Sequence, residues 1–271
     1  MGAKRYLVRW PIFWLCVLSI SCIGSLMLPE RLCFAQDLSN RCAGPSLAHL
    51  LGTDALGRDM LIRLLRGGFL SLFIGIFSSS MAAAIGLTVG VASGYGGKVM
   101  DRTLMGTVDA LCALPVTLLT LLFLAFFGKS LWVLCAAIGL TGWFSFARVV
   151  RASTMELRHR PFILSAKGLG QSSAAVIVRH ILPNLLPTVS AYGLLLLPEA
   201  ILSEAFLSFL GLGVPMPRSS WGNMMVDGLQ FFQRHPMQLL WPTFFLLLTL
   251  LALTAMAERN EGPESFLGGV N

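Results

Sequence analysis

Five long apolar runs without a charged residue alternate with shorter polar segments along this chain. Each run has at least 18 residues, and they cover residues 10–29, 67–97, 110–128, 130–147 and 236–257. About 18 to 20 apolar residues are enough for a helix to cross a hydrocarbon core roughly 30 Å thick. A sixth apolar run, 181–217, is also long enough but contains Glu199 and Glu204. The pattern therefore predicts six membrane-spanning segments.

The apolar runs are continuous, and this decides their secondary structure. Strands of a membrane barrel show about ten residues of alternating apolar and polar character. In lipid, every backbone polar group needs a partner within a helix or within a closed barrel. We therefore predict an all-α polytopic membrane protein with six transmembrane helices.

The composition agrees with a membrane location. Hydrophobic residues make up 55 % of the 271 residues, charged residues 12 %, and the mean hydropathy is +0.75. Soluble domains carry about 25 % charged residues, so a soluble globular domain is excluded. The net charge of +7 comes largely from basic residues in predicted inner loops, and we attribute it to membrane topology rather than to nucleic-acid binding.

Basic residues in short loops predict the orientation. Lys4, Arg5 and Arg9 precede the first run without an acidic residue, and the loop 148–184 holds six basic residues against one acid. With six spans, both termini should lie in the cytoplasm and the loop 30–66 outside. That outer loop has five arginines and four acids, and this mixed charge favours neither side.

The cysteines and the candidate catalytic motifs indicate neither a metal site nor an active site. Cys33 and Cys42 share the predicted outer loop, where an oxidising periplasm would permit a disulfide; a disulfide and two free thiols both remain open. No Cys-x-x-Cys pair is present, so no metal site is predicted. Gly128-Lys129-Ser130 lacks the earlier glycine of a phosphate-binding loop, since Phe123 stands there. We expect neither enzymatic activity nor a cofactor.

The basic inner loop contains two predicted short helices. Because proline can open a helix and glycine can end one, we predict a helix over 161–167, a glycine turn, and a second helix that begins at the cap Ser172 and stops at Pro183. The first helix exposes three consecutive apolar residues, 162–164, which favours a partner surface. Packing of both helices against the bundle is the alternative.

Several motifs, in a fixed order, resemble a known family. They are the segments 51–59 (Leu-Gly-Thr-Asp-Ala-Leu-Gly-Arg-Asp), 94–97 (Gly-Tyr-Gly-Gly), 165–170 (Ser-Ala-Lys-Gly-Leu-Gly), 180–184 (His-Ile-Leu-Pro-Asn), 206–213 (Phe-Leu-Ser-Phe-Leu-Gly-Leu-Gly) and 220–222 (Ser-Trp-Gly). The chain resembles the binding-protein-dependent ABC importer permeases of the dipeptide, oligopeptide and nickel family, and within it the C-type subunit.

The resemblance implies a type I ABC importer permease bundle that transports short peptides, with nickel or another small solute as the alternative. It implies as partners a homologous second permease, two cytoplasmic ATPase subunits that hydrolyse ATP, an external substrate-binding protein, and the lipid bilayer. The predicted organisation is 1–66 for the tail, first helix and external loop, 67–260 for a five-helix permease core with a coupling loop at about 151–184, and 261–271 for a cytoplasmic tail.

The resemblance also assigns the coupling loop that docks the ATPase. Its predicted docking residues are Phe162, Ile163, Leu164, Ser165, Ala166, Lys167 and Gly170. Members of the family carry Glu-Ala-Ala where this chain has 164–166, Leu-Ser-Ala, so the acidic residue is missing. This departure puts the usual form of coupling in doubt.

Two features within the spans are predicted at the permease interface or gate. Ala82, Gly86, Gly90 and Gly94 recur every four residues and place a narrow stripe along one helix face. This stripe would serve a sliding contact or static packing.

The second feature is the pair of glutamates in the fifth span, because ionisable groups at this depth usually face a cavity or a partner. Glu199 and Glu204 lie about 140° apart around a helix. Glu204 matches the acid of the family motif, and we predict it at the interface or gate. A structural hydrogen-bonding role is the alternative.

Overall fold

The structure, a computed structural model, describes residues 10–29 and 35–260. The helices are α1 (Trp10–Ser25), α2 (Met60–Tyr95), α3 (Lys98–Cys112), α4 (Val116–Phe127), α5 (Leu131–Thr141), α6 (Phe144–Arg158), α7 (Pro161–Gly168), α8 (Ser173–Val176), α9 (Leu182–Phe209), α10 (Trp221–Gln230) and α11 (Met237–Asn260). A 3₁₀ turn covers Leu38–Asn40, and a π turn, Ile177–Ile181, joins α8 to α9. Predictions about the basic N-terminus, Cys33 and the tail 261–271 fall outside the described residues.

The predicted all-α polytopic class is confirmed. Three helices are long and apolar enough to cross a membrane: Met60–Tyr95, Ser173–Phe209 and Met237–Arg259. Two bent helix pairs raise the number to five if each pair is one span. The remaining predicted span, the first run at 10–29, corresponds to α1. Its 16 residues measure about 24 Å at 1.5 Å per residue, so the count of six stays a prediction.

Two predicted spans are broken rather than straight. The run 110–128 is divided between α3 and α4, which meet at 85°, and the run 130–147 is divided between α5 and α6, which meet at 41°. Pro115 is the N-cap of α4, and the residue before a proline is sterically disfavoured in the helical region, which accounts for the first break. The second break lies at Gly142 and Trp143, between the two helices.

The prediction that Pro183 ends the second inner helix is wrong. The helix begins as predicted, with the Ser172 side chain accepting the N–H of Ala175, but it continues through Pro183 to Phe209. Proline supplies no N–H to the helical ladder. Here it follows a π turn closed by the Leu182 N–H on the Ile177 carbonyl, where the ladder has already shifted register.

The glycine stripe of α2 packs on α6 of the same chain. A Cβ atom at Gly86 would lie 2.7 Å from Phe146 Cδ1, and one at Gly90 would lie 2.7 Å from the carbonyl oxygen of Ala147. Both distances are shorter than any ordinary contact, so the two backbones touch. The stripe is therefore an internal seam between α2 and α6, which agrees with the static-packing alternative; the place of Gly86, Gly90 and Gly94 at a permease interface or gate stays a prediction.

Helix α10 folds back into the bundle through the Ser-Trp-Gly motif. Ser220 caps it by accepting the N–H of Asn223. Trp221 is fully buried, and its Nε1–H donates to the Leu64 carbonyl of α2 at 2.9 Å. At Gly222 a Cβ would lie 2.7 Å from Ala205 Cα of α9. The motif thus fixes α10 against α2 and α9.

Candidate functional site

A cavity of about 340 Å³ lies where the two broken spans meet α2 and α9. Cys112 and Val116 line it at the α3–α4 break, and Gly142 and Phe144 line it at the α5–α6 break. The remaining wall is rich in hydroxyl groups, which are those of Ser78, Ser79, Thr117, Thr120, Thr141, Ser145 and Ser203. The chain therefore places two helix breaks and seven hydroxyls around one cavity.

Irregular backbone at membrane depth is tolerated where it is buried in protein or lines a water-filled cavity. Discontinuous helices accordingly mark solute sites in many transporters. The hydroxyls also join the two broken spans, since Thr120 Oγ1 and Thr141 Oγ1 lie 2.9 Å apart. Four of the seven hydroxyls, those of Ser78, Ser79, Thr120 and Thr141, donate to backbone carbonyls, so toward a polar solute these four serve as acceptors.

Glu199 projects into this cavity from α9. It lines the cavity and is exposed, whereas Glu204, five residues later, is fully buried. The two carboxylates therefore lie in different surroundings, one at the cavity and one in the core. An ionised side chain exposed at this depth is costly unless it meets water, a partner or a ligand.

Glu204 holds three helices together. Its Oε1 accepts the hydroxyl of Ser208 at 2.6 Å, and its Oε2 accepts that of Ser71 of α2 at 3.2 Å. Ser71 Oγ in turn accepts the backbone N–H of Trp221 at 3.2 Å. The carboxylate is enclosed and hydrogen-bonded within the chain, which agrees with the structural hydrogen-bonding alternative; the role of Glu204 at a permease interface or gate stays a prediction.

The motif of residues 51–59 builds an ionic cluster before α2. Asp54 Oδ2 contacts Arg58 Nε at 2.7 Å and Arg63 Nη1 at 2.5 Å, and all three side chains are almost completely buried. Arg63 Nη2 also reaches Asp227 Oδ2 of α10 at 3.0 Å. Burial acts to raise the pKa of Asp54, but the two guanidinium groups and the Arg58 N–H outweigh it, and the pKa is lowered.

The same segment starts α2. Asp59 caps the helix by accepting the N–H of Ile62 at 3.0 Å, and its other oxygen contacts His49 Nδ1 at 2.8 Å. Gly57 has a φ of +74°, and a Cβ there would lie 1.8 Å from the carbonyl oxygen of Asp37. The family motif on this side therefore has a structural role, which ties the loop to α2 and α10.

Helix α7 of the inner loop has one buried apolar face and one exposed apolar face. Ile163 and Ala166 are buried among Val150, Val176 and Ile181. Phe162 and Leu164 are 44 % and 53 % exposed. The predicted docking role of Ile163 and Ala166 is therefore corrected: these side chains attach α7 to the bundle, and the exposed residues are left for a partner.

The turn after α7 has the geometry that the sequence predicts. Gly170 has a φ of +83° and open space around its Cα, so a side chain there would be strained by the backbone angle alone. Exposed Ser165 and Lys167 lie on the outer side of α7, and Lys167 Nζ sits 4.4 Å from the centre of the Tyr95 ring.

Sequence reasoning missed the cavity, although the signals were present. The Leu114-Pro115 pair and Gly142 interrupt runs that were counted only for length and charge. Serine and threonine carry no charge, so the seven hydroxyl residues of the cavity do not interrupt the charge-free runs.

These features define a polytopic helical membrane protein with two broken spans around a hydroxyl-lined cavity. The family described as "Binding-protein-dependent transport system inner membrane component" matches residues 86–259. The chain belongs to this family, and it is therefore a multi-pass inner-membrane component of a transport system.

The similar proteins include oligopeptide and dipeptide transport permeases. The chain is 35 % identical to the oligopeptide transport system permease protein OppC of Bacillus subtilis over 222 residues, which cover 82 % of this chain and 73 % of that protein. It is 38 % identical to OppC of Salmonella typhimurium over 234 residues, 86 % of this chain and 78 % of that protein. The dipeptide transport system permease protein DppC of Bacillus subtilis is 34 % identical over 237 residues, 87 % of this chain and 74 % of that protein.

A chain of the MetNI methionine ABC transporter, solved in inward-facing conformations, shares the fold. The TM-score is 0.58 at 18 % identity, and the match covers 74 % of this chain and 97 % of that one. At this identity the likeness concerns the fold alone.

Proposed function

We propose that this chain is the C-type permease subunit of an ATP-driven importer of short peptides. It forms half of the translocation pathway and pairs with a homologous second permease. Two cytoplasmic ATPases and an external binding protein complete the transporter, and ATP is hydrolysed on the ATPases. The names of the relatives, which are oligopeptide and dipeptide permeases, support peptides over nickel as the cargo.

The observation that carries the proposal is the two-sided helix α7. Its inner face, with Ile163 and Ala166, is fixed in the core, while Phe162 and Leu164 remain exposed on its outer face. A short helix that is anchored on one side and apolar on the other suits a partner with a groove. We infer that the ATPase subunit receives this outer face, and that Gly170 allows the sharp exit of the chain.

The orientation follows from the same assignment. If α7 faces the ATPases, the loop 148–184 is cytoplasmic and the segment 35–59 lies outside. The excess of basic residues in the loop 148–184 supports this direction. Both termini are then cytoplasmic.

The test is Phe162→Asp in the assembled transporter, with Leu47→Asp as the matched control. Both positions are exposed, but Leu47 lies in the segment proposed to be outside. Burial of a large apolar side chain contributes about 1.5 to 3 kcal/mol, so Phe162→Asp should weaken ATPase docking by roughly ten- to a hundredfold. Co-purification of the ATPase and ATP-driven uptake should fall together, and Leu47→Asp should change neither. Unchanged docking and uptake in Phe162→Asp would contradict the assignment of α7.

A further inference from the structure

Glu199 has no basic partner among the described residues, whereas several other acidic residues form ion pairs with arginines. Asp54, Asp101 and Asp109 each contact an arginine, at distances that include 2.7 Å from Asp54 to Arg58 and 2.7 Å from Asp109 to Arg148. Within residues 10–29 and 35–260, no basic side chain lies within 4 Å of the Glu199 carboxylate. Its charge is left without a partner of opposite sign in this part of the chain.

The position of Glu199 makes this lack of a partner significant. Ten residues separate it from Phe209, the last residue of α9, which corresponds to about 15 Å along a helix. If Phe209 lies at the edge of a hydrocarbon core roughly 30 Å thick, Glu199 lies close to the middle of that core. An acidic group near the midplane normally faces a cavity or a partner and marks a solute path.

The surroundings indicate what Glu199 could bind. Among the residues that line the 340 Å³ cavity, all of them in the described part of the chain, Glu199 is the one acidic or basic side chain, and seven hydroxyls accompany it. The volume is in the range of small-molecule sites, about 300 to 1,000 Å³. Hydroxyls can donate to and accept from peptide groups, while a carboxylate binds an ammonium group.

We propose that Glu199 is a specificity-determining residue that binds the cationic group of the transported solute. This inference rests on the proposed function, since the α-ammonium group is the cation that every short peptide with a free amino terminus carries. The helix breaks at 113–115 and 142–143 open the space for the solute, and α9 presents the carboxylate to it. Glu204 is enclosed by its hydroxyl partners and cannot take this role.

The test uses the complete transporter in proteoliposomes, with peptide at a concentration that saturates the binding protein. Glu199→Gln keeps the shape and removes the charge, and Glu258→Gln, at an exposed position of α11, is the control. We expect peptide uptake to fall at least tenfold in Glu199→Gln, because a charge-assisted contact is lost. ATP hydrolysis without peptide and co-purification of the second permease should be unchanged, and Glu199→Asp should recover uptake.

Three results would overturn the inference. One is normal uptake by Glu199→Gln. Another is loss of the second permease from the purified complex, which would mean that Glu199 pairs with a cation of that subunit. The third is no recovery in Glu199→Asp, which would assign the effect to packing. If the wild-type transporter imports no peptide at all, the proposed function itself fails, and this result is separate from any difference between the variants.

Discussion

Replacing Gly90 by leucine should destabilise the bundle by pushing α2 and α6 apart. A Cβ at Gly90 would lie 2.7 Å from both the Ala147 carbonyl oxygen and Val150 Cβ, and Val150 is fully buried. Overpacking of a well-packed core costs about 1 to 3 kcal/mol. We expect the upper end of this range, because a backbone oxygen cannot rotate away as a side chain can.

The matched control is Gly193→Leu in α9. Nothing lies within 4 Å of a Cβ at Gly193, so this change should be neutral or stabilise the helix by up to about 1 kcal/mol. About 3 kcal/mol corresponds to a decrease in the unfolding midpoint of roughly 6 to 12 °C for a protein of this size. The assay is thermal unfolding of the purified subunit in one detergent at one scan rate. Equal midpoints for Gly90→Leu and the wild type would refute the close contact of the two backbones.

Two further predictions concern the ionic cluster and the orientation. Asp54→Asn removes the buried carboxylate that Arg58 and Arg63 share, and losing one partner of a buried pair costs about 3 to 5 kcal/mol; because Asp227 still contacts Arg63 at 3.0 Å, we expect the lower end of this range. Because the folded-state pKa of Asp54 is lowered below its ordinary value of 3.8, its stabilisation is present above that value and is lost as the pH falls through the folded-state pKa. The unfolding midpoint of Asp54→Asn should therefore be lower than that of the wild type at pH 7 and should approach it on acidification; a constant difference from pH 7 to pH 3 would contradict this. For orientation, a membrane-impermeant thiol reagent should label Leu47→Cys but not Leu169→Cys in intact spheroplasts of a strain whose subunit has no other cysteine, and both after permeabilisation. Both positions are exposed, and the reverse pattern would invert the topology.

Local chemistry made the inner loop predictable from sequence. The sequence predicts a helix over 161–167, and α7 covers Pro161–Gly168. Ser172 caps the next helix as predicted, and the predicted glycine turn contains Gly170, whose φ is positive. These features depend on a proline, a hydroxyl and a glycine that act within a few residues of themselves. The sequence is sufficient where the determinants are local in this sense.

Features that depend on distant neighbours were not predictable in the same way. The glycine stripe of α2 was recognised, but its partner α6 lies in the same chain, and only the folded arrangement distinguishes this from a second subunit. Glu204 was recognised as unusual, yet its partner Ser71 is 133 residues away. Ile163 and Phe162 are neighbours of similar hydrophobicity, and the direction of α7 relative to the bundle decides which of them is buried.

The absence of an acidic residue at position 164 does not weaken the attachment of α7 to the bundle. Leu164 is exposed on the outer face of α7, whereas the attachment of α7 to the bundle runs through Ile163 on the opposite face. Only His159 and Arg160 separate α7 from α6, and α6 is held to α2 by the glycine seam. Arg151 of α6 also pairs with Asp101 of α3 through its Nε and, at 2.6 Å, through its Nη2. A displacement of α7 by an ATPase would therefore move α7 and α6 together with the helices attached to α6. The nearest interruption before α6 is the helix break at 142–143, which borders the cavity lined by Glu199. We expect coupling in this chain to depend on the rigid connection from α7 to that break rather than on a carboxylate at the docking surface.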